Sequence, residues 1–173
     1  MGTRLIHKGQ RGFTLIELVL VIGLTGIIAG GITLTIMQVF NMDARTRNDM
    51  IAVYQVRQAG KLVSQDILQA KTVTTGVSSG FPLTLTWTEG ATGGDSHTVI
   101  YTLVDMPSGG LKRLQRNESV NGGSQTVTPV AEYINPAYTS CVWVGGVLTF
   151  TVTATVGGQS ETRVYEVKPR PGS

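Results

Sequence analysis

One cysteine and two histidines leave this 173-residue chain almost without the side chains that hold metals or carry nucleophilic chemistry. Cys141 alone can form neither an intramolecular disulfide nor a cysteine metal cluster, and its neighbours Val142, Trp143 and Val144 make it read as a small core hydrophobe. Of the histidines, His7 lies in a basic N-terminal stretch and His97 follows Asp95 and Ser96. Three consecutive residues do not by themselves make a triad, which needs side chains converging from suitable positions, so this tripeptide reads as a turn entering a strand. No G-x-x-x-x-G-K-[ST] phosphate loop, H-E-x-x-H pair or EF-hand spacing occurs. Glu89 and Asp95 are two acids in a glycine-rich segment, too few to predict calcium. The expectation is a protein without metal or cofactor, and not an enzyme.

Charge is missing where it matters most. From Leu18 to Phe40 there is no charged residue, a stretch that as a helix at 1.5 Å per residue reaches about 34 Å, enough for one membrane span. Arg4, Lys8 and Arg11 precede it with no acid among them. The positive-inside bias then keeps the N-terminus cytoplasmic and sends the C-terminal part outward. Glu17 is the single acid beside the apolar run, four residues after Phe13. A carboxylate at full membrane depth costs about 2.5–3.5 kcal/mol and normally has a partner. In a staggered stack of helices, Glu17 of one copy can neutralise the amino terminus of the copy beside it, which would set register. The alternative is a plain signal anchor whose Glu17 reaches back to the interface.

The junction Arg11-Gly12-Phe13-Thr14-Leu15-Ile16-Glu17-Leu18 closely resembles the leader of type IV pilins and type II secretion pseudopilins. A secretory signal carries its cleavage site after the apolar region, whereas here the site precedes it. The resemblance implies cleavage between Gly12 and Phe13 by a membrane prepilin peptidase, N-methylation of Phe13, and a register role for Glu17. It further implies assembly with other pilin or pseudopilin subunits, driven by a cytoplasmic ATPase and a platform protein. The precursor would sit in the inner membrane with its head exported, and then in an extracellular or periplasmic filament. The helix sequence before the β-rich remainder is more similar to a minor pilin or J-type minor pseudopilin, which points to the tip or initiating complex. Pilus, competence pilus and secretion pseudopilus share this leader, and the residues do not choose among them.

Loss of the leader also alters the charge. Without Arg4, Lys8 and Arg11, the 14 basic residues fall to equality with the 11 acidic ones, so the pI near 9.2 says little about nucleic acid. Within the apolar run, Gly26 and Gly30 have the small-xxx-small spacing that lets helices approach; glycine is also simply tolerated in membrane helices. Adjacent Gly30 and Gly31, with no proline nearby, mark a point of bending or melting.

Past Phe40 the helix is expected to continue as an amphipathic segment over 41–73, with Val53, Val56, Gly60, Val63, Ile67 and Ala70 facing a sheet and Arg57, Lys61, Gln65 and Gln69 facing away. Residues 74–80 read as a loop. Alternation over 83–88, followed by segments at 98–104, 111–116, 125–134, 147–156 and 160–168 separated by Gly- and Asn-rich turns, predicts five or six antiparallel strands. The expected fold class is α+β: a leader (1–12), an assembly helix (13–40), its amphipathic continuation (41–73) and a β-rich head (74–173), the long helix packing on an antiparallel sheet. Lys112, Arg113 and Arg116 form one basic strand, read as an edge strand guarded by charge rather than a nucleic-acid site. A head that captures DNA or adheres to a surface is the second functional reading. Asn117-Glu118-Ser119 matches a glycosylation sequon and carries little weight.

Overall fold

The computed structural model describes residues 12–90, 93–107 and 109–170. Arg4, His7, Lys8 and Arg11 lie outside them. The chain divides into two units, one ending at Ala44 and one beginning at Arg45. Helix α1 (Leu15–Gln69) contributes residues to both.

In the first unit α1 opens after Thr14, whose carbonyl accepts the amides of Glu17 (3.1 Å) and Leu18 (3.2 Å). The helix is unbroken through Gly30 and Gly31, so it has not melted there. Leu, Ile, Val and Met dominate, and every residue from Gly12 to Ala44 is exposed.

The second unit contains the rest of α1 and eight strands: β1 (Thr72–Gly76), β2 (Gly80–Thr88), β3 (Ser96–Asp105), β4 (Lys112–Val120), β5 (Thr126–Ile134), β6 (Ser140–Val144), β7 (Val147–Val156) and β8 (Gln159–Val167). All pair antiparallel in the order β1-β2-β3-β4-β5-β7-β6, with β8 on the other side of β7. The α+β class holds. Two strands exceed the expectation. The helix stops at Gln69, short of residue 73, because the Lys71 amide leaves the helix to bond the Thr86 carbonyl (2.8 Å) and the β-branched residues Thr72–Thr75 then pair with β2. Strand β1 therefore occupies part of the segment expected to be a loop. Strand β6 is the other addition, a five-residue piece paired with Val147–Thr151 of β7.

The core is where the stripe on α1 meets the inner face of the sheet. Ala52, Val56, Ala59, Val63 and Ile67 are buried, together with Leu83, Leu85, Val99, Tyr101, Leu114, Leu148, Phe150 and Val152. Each large apolar side chain removed from water contributes about 1.5–3 kcal/mol. Val53 is only half-buried, and Ala52 and Ala59 take the positions beside Val56 and Gly60. Arg57, Lys61, Gln65 and Gln69 are exposed as expected. Gly60 is required by close approach: a Cβ there would lie 2.0 Å from Cζ of Tyr165, whose hydroxyl donates to the Val56 carbonyl at 3.2 Å. Cys141 is buried, and its amide donates to the Ser79 carbonyl (2.8 Å), bringing β6 against the start of β2.

Candidate assembly segment and polar seam of the head

The N-terminal segment gathers most of the residues singled out from sequence. Gly12 and Phe13 precede α1, and Phe13 is 82% exposed. Glu17 stands in the first helical turn, where the positive end of the helix dipole favours a carboxylate. The Thr14 hydroxyl lies 3.4 Å from Glu17 Oε2 as a donor. Thr14-Leu15-Ile16-Glu17 has the T-x-x-E pattern of a helix start, a signal overlooked in reading the leader as a processing motif alone. Among the described residues the Thr14 side chain meets Glu17.

Gly26 and Gly30 are four residues apart and so share a face of α1. A Cβ at either would meet nothing within 4 Å, and the same holds for Gly23 and Gly31. Thr25, Thr33 and Thr35 donate back to the carbonyls of Val21, Ala29 and Gly31 at 2.7, 2.9 and 2.9 Å. Their hydroxyls are thus satisfied inside the helix. The segment is long and apolar enough to cross a membrane.

The head carries a polar seam that the sequence reading missed. Asp66, on the buried face of α1, accepts the Tyr101 hydroxyl (2.6 Å) and two nitrogens of Arg116, Nε at 2.7 Å and Nη2 at 3.3 Å. Arg116 Nη1 donates to Glu118 Oε2 (2.7 Å), and Glu118 Oε1 lies 3.2 Å from His97 Nδ1. Side chains of Asp66 and Arg116 are only 10% and 15% exposed. Burial raises the Tyr101 pKa, and the Asp66 charge and hydrogen bond add to it. Burial opposes the Arg116 charge, but hydrogen bonds to Asp66 and Glu118 outweigh it and raise its pKa. The Arg116 hydrogen bond also lowers the pKa of Glu118. Asp66 was visible as the one acid falling in step with Val63 and Ile67 on the apolar stripe.

This seam corrects the reading of the basic strand. Strand β4 lies between β3 and β5, so Lys112, Arg113 and Arg116 do not guard an edge. Each cation is paired instead: Lys112 with Asp105, Arg113 with Glu132 (2.7 Å) and Arg116 with Asp66. The pairing leaves little positive charge on β4 for phosphates. An inward-facing ion pair sits on β8, an edge strand, where Glu161 meets Arg163 at 3.1 Å.

Asp95, Ser96 and His97 do not converge. Asp95 Oδ1 accepts from Asn121 Nδ2 (2.7 Å), the Ser96 amide donates to Asn121 Oδ1 (2.8 Å), and the His97 ring turns toward Glu118 and Glu89. Glu89 and Asp95 are joined through the backbone, amide to carbonyl at 2.9 Å, and their carboxylates go to different partners. Asn117-Glu118-Ser119 lies within the paired strand β4 rather than in a loop. Burial pushes the Cys141 thiol up to about 12, as for a core residue.

Comparison with known proteins gives a match at the N-terminal end. A family model described as the prokaryotic N-terminal methylation motif covers residues 7–33, spanning Gly12, Phe13, Glu17, Gly26 and Gly30. It supports kinship with the type IV pilins and pseudopilins, and with it peptidase processing and assembly with other such subunits. No curated protein and no solved structure matches the chain.

Proposed function

We propose that this chain is a non-enzymatic pilin or pseudopilin subunit, cut between Gly12 and Phe13 by a prepilin peptidase, methylated on Phe13, and incorporated near the tip or initiating complex of a type IV pilus or type II secretion pseudopilus. The observation that carries the proposal is a coincidence in one segment. Over Leu15–Thr33 the methylation motif falls on the part of α1 whose apolar side chains are all exposed, and so need a covering that the described residues do not supply. A bilayer covers them before assembly and neighbouring helices cover them afterwards. Glu17 enters the filament by pairing with the methylated amino terminus of an adjacent subunit, and Gly26 and Gly30 allow close helix approach. The N-terminus is cytoplasmic and the head is exported, in keeping with the bias of Arg4, Lys8 and Arg11.

Intact mass and N-terminal analysis of the chain, expressed with and without a prepilin peptidase, tests the processing step. A new terminus at Phe13 carrying a methyl group is expected only with the peptidase; an uncut chain beside active peptidase rejects the proposal. Register is tested separately with Glu17→Ala, which should insert and be processed yet fail to enter filaments. Normal assembly of that variant removes the role given to Glu17.

A further inference from the structure

Asn121 and Gly122 are the central residues of the turn from β4 to β5, which the Gly123 amide closes on the Val120 carbonyl at 2.9 Å. Their φ angles, 51° and 69°, both lie in the left-handed region, as the two-residue type I′ turn demands. The Asn121 side chain also reaches outside its own turn. Its Oδ1 accepts the Ser96 amide at 2.8 Å and its Nδ2 donates to Asp95 Oδ1 at 2.7 Å, while the Asn121 backbone amide donates to the Ser96 carbonyl at 2.7 Å. An N–H on one side and a carboxylate on the other leave that amide group one orientation. A single residue therefore clasps the end of the β2–β3 connection and the start of β3 to the β4–β5 turn.

Asn121-Gly122 is also the only Asn-Gly pair in the chain. Glycine has no side chain to shield its nitrogen, so the Gly122 nitrogen can attack Cγ of Asn121. The new N–C bond closes a succinimide ring, and the Asn121 amide nitrogen leaves as ammonia with the proton that Gly122 gives up. Water then opens the ring at one carbonyl or the other, to isoaspartate or aspartate. Water enters, ammonia departs, and no oxidant or reductant is needed. The attack requires the Asn121 side chain to rotate over its own backbone, whereas two hydrogen bonds fix it on Asp95 and Ser96. The closed clasp holds the reaction back. Once the reaction has occurred the clasp cannot re-form, because the donor Nδ2 has become an oxygen and a second carboxylate faces that of Asp95, where like charges repel.

We propose that Asn121 is a self-modification site, a succinimide-forming asparagine gated by Asp95, whose conversion irreversibly releases the segment between β2 and β3 from the β4–β5 turn. The site is independent of the processing and assembly proposed above.

The full chain in detergent is incubated at mildly alkaline pH and mapped by peptide mass spectrometry, with an isoaspartyl methyltransferase reporting isoaspartate. Asn121 is expected to convert ahead of Asn41, Asn48, Asn117 and Asn135, none of which precedes glycine. Asp95→Ala removes a hydrogen bond to a charged group and should speed conversion about tenfold or more. Asp95→Asn, which leaves an acceptor for Nδ2, should return the rate toward that of the native chain. Asp95 is exposed and lies outside β3, so both variants keep the head folded. Asn121→Asp carries the charge of the product without the reaction, and should speed hydrogen exchange at the Glu89 and Ser96 amides about tenfold or more. Absence of conversion at Asn121 overturns the site, a rate unchanged in Asp95→Ala overturns the gate, and exchange unchanged in Asn121→Asp overturns the release.

Discussion

Two glycines on one helix show how differently the two units of this molecule use the same residue. At Gly26 an added methyl group would meet nothing within 4 Å, while at Gly60 it would overlap the Tyr165 ring. In the first unit the apolar side chains lie on the outside and the hydroxyls of Thr25, Thr33 and Thr35 are satisfied locally, by the helix's own carbonyls. In the second the apolar side chains close on one another, and polar ones reach across long sequence distances, as Asp66 does to Arg116. A side chain in the head is constrained by this chain; one in the first unit is constrained by whatever covers it.

The comparison is broken most severely at Arg116. Replacing it with Ala leaves Asp66 buried beside a tyrosine with no cation, and should cost about 3–5 kcal/mol of head stability in denaturant unfolding followed by tryptophan emission. A loss under 1 kcal/mol would mean that Asp66 escapes to water. Next in size is Gly60→Ala, expected to cost about 1–3 kcal/mol through overpacking against Tyr165. Tyr165→Leu in the same chain should recover part of that loss.

A pH effect of intermediate size follows from Tyr101. Its folded pKa is raised, so its contribution is fully present below the unfolded value of about 10 and declines as pH climbs above it. Stability measured across pH 9–11 should fall, and more shallowly in Tyr101→Phe. Glu118 has the opposite sign: its lowered pKa gives stability above the ordinary carboxylate range that is lost on acidification. The smallest expected effect sharpens the contrast with Gly60. Gly26→Ala should leave head unfolding unchanged within about 0.5 kcal/mol, its consequences being confined to assembly. A change in head stability from that substitution would deny the separation of the two units.

Local chemistry made much of the fold legible. The uncharged run announced α1, alternation in Leu83-Thr84-Leu85-Thr86-Trp87-Thr88 announced β2, and Gly157-Gly158 announced the turn between β7 and β8. Strand β1 was hidden because threonine and glycine also compose loops, and only its partner decides: Thr86 donates its hydroxyl to that of Thr72 at 2.8 Å. The short strand β6 lacks a long alternation of its own and is revealed by pairing with β7. Strand β4 looked like an edge because its cations were visible while the partners of Arg113 and Arg116, Glu132 and Asp66, lay far off in sequence. The N-terminal segment was the most readable part, since its constraints are contiguous in the chain. The polar seam was the least readable, being assembled from three elements by tertiary contact.

Thr25, Thr33 and Thr35 have a consequence for any journey the apolar segment makes. Since each hydroxyl is already bound to a carbonyl one turn back, none of them needs a donor or acceptor from its surroundings. Hydrocarbon tails and the flank of another helix are then equivalent solvents for these three residues, and passage between them neither makes nor breaks a hydrogen bond there. What distinguishes one destination from the other is the fit of shape along the glycine face and the fate of a single carboxylate at its end.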